Sequence, residues 1–189
     1  MNHYPDDIDQ AIKILTQGGI ILYPTDTIWG IGCDATLEPP VKRIYQLKNR
    51  EEKKSMIILV PSVAAIDNYV DHPSPKLIDY LTGQEYPTTA IFPAAKNLAG
   101  GLINEDGSIA IRVVREPFCV ALLQVLRKPL VSTSANVSGH PSPSNFQEVE
   151  EPIRKGVDYV VKYRQDDTRK AQPSHIVKIN EDGELFRIR

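Results

Sequence analysis

The sequence predicts a mixed α/β domain: a twisted open sheet flanked by helices. Three observations predict it. Short, wholly apolar runs alternate with segments whose apolar residues recur at helical spacing. The strand-like runs cluster late as well as early, which argues against an all-parallel sheet. No repeat, low-complexity tract or linker divides residues 1–189, a length that fits one domain.

Ile8, Ala11, Ile12 and Leu15 fall at i, i+3, i+4 and i+7, one apolar helix face. Asp6 or Asp7 caps its start in this reading, and Gly18-Gly19 ends it. Ile20 to Tyr23 is a buried strand closed by Pro24, and a polar, glycine-containing stretch runs from Thr25 to Gly32. Pro39-Pro40 opens a second helix, with Val41, Ile44, Tyr45 and Leu47 on its inner side. Proline suits a first helical turn, where the missing N–H matters least. Met56 to Val60 is a second apolar strand. Ser62 caps a helix through Val70, and Pro75 to Leu81 forms another. Thr89 to Phe92 and Ile109 to Val114 read as strands, and Pro117 to Leu126 as an apolar helix. Leu130-Val131 is a buried strand entering a Ser/Thr/Asn-rich turn, and Asn145 to Lys155 is helical. Tyr159 to Lys162, Ile176 to Ile179 and Leu185 to Ile188 are strands, the last two joined by a turn at Asn180-Glu181-Asp182-Gly183. Ala99 to Asp106 and Arg164 to Pro173 are expected to be the most mobile stretches.

Composition narrows the function classes. The chain is 41% hydrophobic and 24% charged, with a formal net charge of −2. A dedicated nucleic-acid binder carries a basic excess that is absent here. Cys33 and Cys119 are far apart in no recognisable spacing, so a reducing cytoplasm is the simpler reading. The histidines are isolated, and no metal site is predicted. Met1-Asn2-His3-Tyr4 has neither a basic start nor an apolar core and is not read as a signal peptide. No apolar run approaches the ~20 residues that span a bilayer, so no membrane contact is expected.

Four segments carry chemistry. Pro24-Thr25-Asp26-Thr27-Ile28-Trp29-Gly30-Ile31-Gly32 presents hydroxyls and a carboxylate where a strand ends, a place where open α/β sheets bind ligands. It reads equally as a polar turn around a buried Trp29. Lys42-Arg43 and Lys48-Asn49-Arg50-Glu51-Glu52-Lys53-Lys54 follow a helix. Cations favour a helix C-terminus in any case, but they can also clamp a polyphosphate. Ser132-Thr133-Ser134-Ala135-Asn136-Val137-Ser138-Gly139 is dense in small hydrogen-bonding side chains suited to phosphate oxygens. Finally, Arg112 sits inside an apolar strand and needs a partner. That partner is either a protein carboxylate such as Asp26 or the carboxylate of a ligand. No P-loop and no Ser-His-Asp pattern is present, so nucleophilic catalysis is not expected.

Together these segments resemble the YrdC family, from about Ile8 to the C-terminus. Pro24 to Gly32 looks like its Pro-Thr-Asp-Thr-Val-Tyr-Gly-Leu-Gly, Lys48-x-Arg50 with Lys54 like its Lys-x-Arg segment, and Ser134-x-Asn136 like its Ser-x-Asn signature. The resemblance implies a twisted mixed sheet with a large concave cationic cavity. The activity it implies joins L-threonine, bicarbonate and ATP into threonylcarbamoyl-AMP and pyrophosphate. That product then serves partner proteins that modify position 37 of tRNA. By position, Thr27, Arg112 and Ser174 fall where the family holds threonine. Arg50, Lys54, Ser108, Ser132, Ser134, Asn136, Ser142 and Arg187 fall where it holds ATP, with Lys48, Arg50 and Lys54 as the catalytic cations. Magnesium is expected with ATP. The alternatives are a module binding double-stranded RNA or tRNA through the same basic run, and a divergent paralogue of altered activity. The chain departs from the family pattern at Glu51, Ser55, Glu85, Tyr86, Val114 and His175.

Overall fold

The computed structural model describes residues 4–51, 56–180 and 182–189. Its strands are β1 (Ile21–Tyr23), β2 (Gly30–Gly32), β3 (Ile57–Val60), β4 (Thr88–Phe92), β5 (Ile109–Val113), β6 (Leu130–Ser134), β7 (Tyr159–Val160), β8 (His175–Ile179) and β9 (Leu185–Arg187). The helices are α1 (Pro5–Thr16), α2 (Glu38–Leu47), α3 (Pro75–Gly83), α4 (Pro117–Leu126) and α5 (Glu151–Gly156). The strands form one open sheet in the order β7-β1-β2-β6-β3-β5-β4-β8-β9. β1·β7, β3·β5 and β4·β8 run parallel and the other neighbours antiparallel, so the sheet is mixed, as the late strands predict. Among the described residues no helix is long and apolar enough to cross a membrane.

The period of two along each strand divides the core into two layers. Ile20, Leu22, Ile58 and Val60 join α2 and α3 on one face, while Ile21, Tyr23 and Leu59 join α1 and α4 on the other. With both faces covered, the central strands read as continuous apolar runs rather than alternating ones.

Several expected elements differ in detail. Asp6 and Asp7 lie inside the first turn of α1, not at its cap. Asp7 is buried and accepts bonds from the Tyr159 hydroxyl (2.5 Å), Lys162 N (3.0 Å) and Tyr163 N (2.9 Å), tying the helix to the exit of β7. Ser62 makes no capping bond, and Val63–Asn68 is a 3₁₀ turn. The helix expected over residues 145–155 splits into a 3₁₀ turn at Phe146–Glu148 and the short α5. Pro152 accounts for the split, because inside a continuous helix its ring would clash with the carbonyl of residue 148. The Ala99–Asp106 stretch is packed: Leu102 is fully buried and the Gly101 carbonyl accepts from the Tyr45 hydroxyl at 2.9 Å.

The largest departure is β2. Gly30-Ile31-Gly32 is a buried strand between β1 and β6, not part of a polar turn. Its glycines allow the close fit. A Cβ on Gly32 would overlap the Val131 carbonyl oxygen and press on the Tyr23 ring.

Candidate functional site

The ends of β2, β6, β3 and β5 and the segments flanking β8 and β9 surround a cavity of 220 Å³. Thr27, Arg50, Arg112, Ser132, Ser134, Ser142 and Ser174 all line it, so seven residues singled out in the sequence meet in one place. The strand pairing explains how. β6 lies between β2 and β3, with Ser134 opposite Gly30 and Ser132 opposite Ile57, and β5 places Arg112 one strand further along. Gly30 keeps this wall open, since a Cβ there would sit 3.2 Å from Ser132 Oγ.

Arg50 reaches the cavity through the end of α2. Asn49 takes a left-handed φ of 48°, with Asn49 N bonding the Gln46 carbonyl (3.0 Å) and Arg50 N the Tyr45 carbonyl (2.9 Å). This is the Schellman arrangement, which turns the chain sharply off the helix. Lys48 therefore points into the protein and Arg50 toward the cavity.

On the far side, Arg112 Nη2 meets Asp26 Oδ1 at 3.2 Å, with both side chains largely buried. Asp26 Oδ2 also accepts from Arg115 N at 3.1 Å. The question left by the sequence resolves in favour of Asp26, yet Arg112 Nε remains buried without a hydrogen-bond partner. Thr27 and Ser174 are each fixed by another hydroxyl, Thr25 Oγ1 at 2.9 Å and Thr89 Oγ1 at 2.8 Å.

A residue not singled out in the sequence completes the set. Arg189 lines the cavity and donates from Nε and Nη2 to the Ser174 carbonyl, both at 3.2 Å. Burial, and then Arg112 beside it, lowers its pKa. Arg187 is directed elsewhere, its Nε donating to the Arg189 carbonyl at 2.7 Å. β9 ends at Arg187, so the alternation that would give both arginines one face does not extend to Arg189, and sequence alone had no means of choosing between them. Three guanidinium groups thus line the cavity, and no Asp or Glu among the described residues does. Such a field favours a polyanionic ligand over any cation.

Four other predicted residues lie away from the lining. Ser108 is buried and accepts from Asn104 Nδ2 at 2.9 Å. Asn136 is buried, with Nδ2 donating to the carbonyls of Val137 (2.9 Å) and His140 (2.8 Å), so it is not the cavity-exposed group the Ser-x-Asn reading expects. Arg187 is the third. The fourth, Lys48, is 1% exposed, and its ammonium is held by the carbonyls of Ser134 and Asn136, the latter at 2.6 Å. The predicted Lys54 lies outside the described residues. No cluster of three or more His, Cys, Asp or Glu suited to a metal occurs among the described residues. Among the described residues of the basic run, Lys42 pairs with Glu38 (3.6 Å) and Arg43 with Asp158 (3.0 Å).

Comparison with known proteins agrees with this architecture. Residues 13–188 match the Sua5/YciO/YrdC family model, which carries the description "Telomere recombination". A protein of Xanthomonas euvesicatoria named threonylcarbamoyl-AMP synthase is 34% identical over 159 residues, covering 82% of this chain and 84% of that protein. Escherichia coli YciO superposes with a TM-score of 0.80 at 24% identity, over 97% of this chain and 88% of its own. Pyrococcus abyssi Sua5, solved in complex with L-threonine, gives 0.82 at 22% identity over 96% of this chain and 53% of its own. By the motifs, the sheet order and these matches, the chain belongs to the Sua5/YciO/YrdC family.

Proposed function

We propose that this protein is an L-threonylcarbamoyladenylate synthase, using L-threonine, bicarbonate and ATP and releasing pyrophosphate. The observation that carries the reading is a cavity lined by three arginines and several serine hydroxyls, with no Asp or Glu in its lining among the described residues. Relatives named threonylcarbamoyl-AMP synthase support the same chemistry.

The amine of threonine first combines with bicarbonate to give a carbamate and water. A carbamate oxygen then attacks the α-phosphate of ATP, and pyrophosphate leaves. Such a transfer needs positioning and charge stabilisation rather than a covalent protein group. Arg112, Thr27 and Ser174 suit the amino acid, whose carboxylate can take the unpartnered Nε of Arg112. Arg50, Ser132, Ser134 and Ser142 suit the phosphates, and Arg50 is placed to meet charge growing on the leaving group. Lys54 belongs with them by sequence position. Magnesium enters as the ATP complex in this reading, since Asp26, the acidic candidate in the sequence, is engaged by Arg112 and Arg115 N. The adenylate would pass, in the cytoplasm, to partner proteins that modify tRNA.

Pyrophosphate release by purified protein should require ATP, threonine and bicarbonate together. Equal release with any amino acid would remove threonine as the substrate, and no release would remove the activity. Arg189→Ala is expected to weaken ATP binding by about 10-fold or more, the loss of one charge-assisted contact. Arg187→Ala should change it less than about 2-fold, since that side chain points away. Calorimetric titration of the two variants checks the assignment.

A further inference from the structure

We infer that Lys48, the lysine of the Lys-x-Arg motif, is a positioning residue that clips the loop after β6 and so presents Ser134 and Ser142 to the cavity. Its ammonium donates to the carbonyls of Ser134 and Asn136. Its own carbonyl accepts from Ser138 N at 2.7 Å. The chain from Ser134 to Ser142 has no helix or strand of its own beyond the end of β6, and the backbone bonds within it run from Asn136 N to the Ser134 carbonyl (2.9 Å) and from His140 N to the Val137 carbonyl (3.1 Å), so side-chain donors complete its pairing. Lys48 donates to the carbonyls of Ser134 and Asn136, and the Asn136 amide to those of Val137 and His140. Ala135 N closes the other side on the Trp29 carbonyl at 3.0 Å. The two ends of the loop carry Ser134 and Ser142 into the cavity opposite Arg50, whereas Lys48 does not line it.

The alternative is a cation that neutralises the leaving pyrophosphate. Its geometry is unfavourable, because the ammonium is enclosed and engaged. Its charge is unfavourable too: burial, then repulsion from Arg50, lowers the Lys48 pKa to about 7. The two halves of the family signature therefore meet as a structural clip through Lys48 and Asn136, with Arg50 and Ser134 left as the members that line the cavity.

The inference rests on the adenylating reading only where turnover is measured. Binding of ATP or inorganic pyrophosphate tests it independently. Lys48→Met, which keeps the aliphatic stem volume but cannot bond a carbonyl, is expected to raise KM for ATP by about 10- to 50-fold. The same variant should keep kcat at saturating ATP within about 3-fold, and weaken pyrophosphate binding in parallel with KM. Lys48→Arg should behave like Lys48→Met, because a planar fork does not replace a point donor set between two carbonyls. Should Lys48→Met fail to fold, Asn136→Ala, which removes the side-chain donor to the Val137 and His140 carbonyls, is expected to give the same split. A fall in kcat of about 100-fold with unchanged KM, or recovery of kcat in Lys48→Arg, would assign Lys48 to the chemistry and overturn the inference. If the wild type binds pyrophosphate but never releases it from ATP, the adenylating reading fails. Unchanged pyrophosphate binding in the variants then still overturns the clip.

Discussion

Arg112→Met is expected to lower kcat/KM for the amino-acid substrate by about 10²- to 10³-fold and to cost about 3–5 kcal/mol of folding stability. Both effects come from one geometry. Arg112 lies near the end of β5, its Nη2 on Asp26 and its Nε buried without a hydrogen-bond partner. Removing it deletes the donor proposed for the substrate carboxylate. It also leaves Asp26 largely buried with only Arg115 N as a partner, and an uncompensated buried carboxylate is costly. The two contributions separate in the double variant. Arg112→Met with Asp26→Asn should recover most of the stability, read by chemical denaturation, and none of the activity. If Asp26→Asn alone abolished turnover while leaving stability intact, Asp26 would belong to the chemistry rather than to the support of Arg112.

Gly32→Ala is expected to destabilise the fold by about 3 kcal/mol or more, lowering the melting temperature by roughly 6–12 °C for a chain of this size. The added Cβ would overlap backbone, the Val131 carbonyl oxygen, and lie 2.9 Å from the Tyr23 ring. Neither neighbour gives way easily. Tyr23 is fully buried and its hydroxyl donates to that same carbonyl at 3.0 Å. Separation of β2 from β6 would also displace Ser132 and Ser134, so weaker ATP binding should accompany the lost stability. Gly83→Ala supplies the control. That glycine ends α3 with nothing within 4 Å of its virtual Cβ. Its substitution should be neutral or stabilising by about 0.4–1 kcal/mol. Equal melting temperatures for Gly32→Ala and the wild type would mean that β2 does not pack against β6 as described.

Much of the scaffold could be read from the chain because its signals are local. The apolar face of α1 and its glycine stop follow from a period of 3.6 and from the φ of 75° that Gly18 adopts. The buried strands β1, β3 and β5 are short and largely apolar runs, and Leu130-Val131 marks the start of β6, which continues through Ser134 where the sequence reads as a turn. Where reading failed, two local rules competed. Glycine and threonine between Thr25 and Gly32 signal a turn, yet the tight space between β1 and β6 requires glycine in a strand. Residues 145–155 carry a helical composition that Pro152 interrupts.

The sequence by itself determined the class of fold, the order of its elements and the set of polar residues from which a site could be built, because period, proline, glycine and motif spacing act within a few residues. Only the tertiary structure decided which of those polar groups face the cavity and which hold its walls. Lys48 is a scaffold group through a carbonyl 86 positions away, and Arg189 rather than Arg187 enters the cavity through contacts with Ser174. A buried cation or amide is placed by whichever distant partner satisfies it, and that partner is fixed only when the sheet brings the segments together.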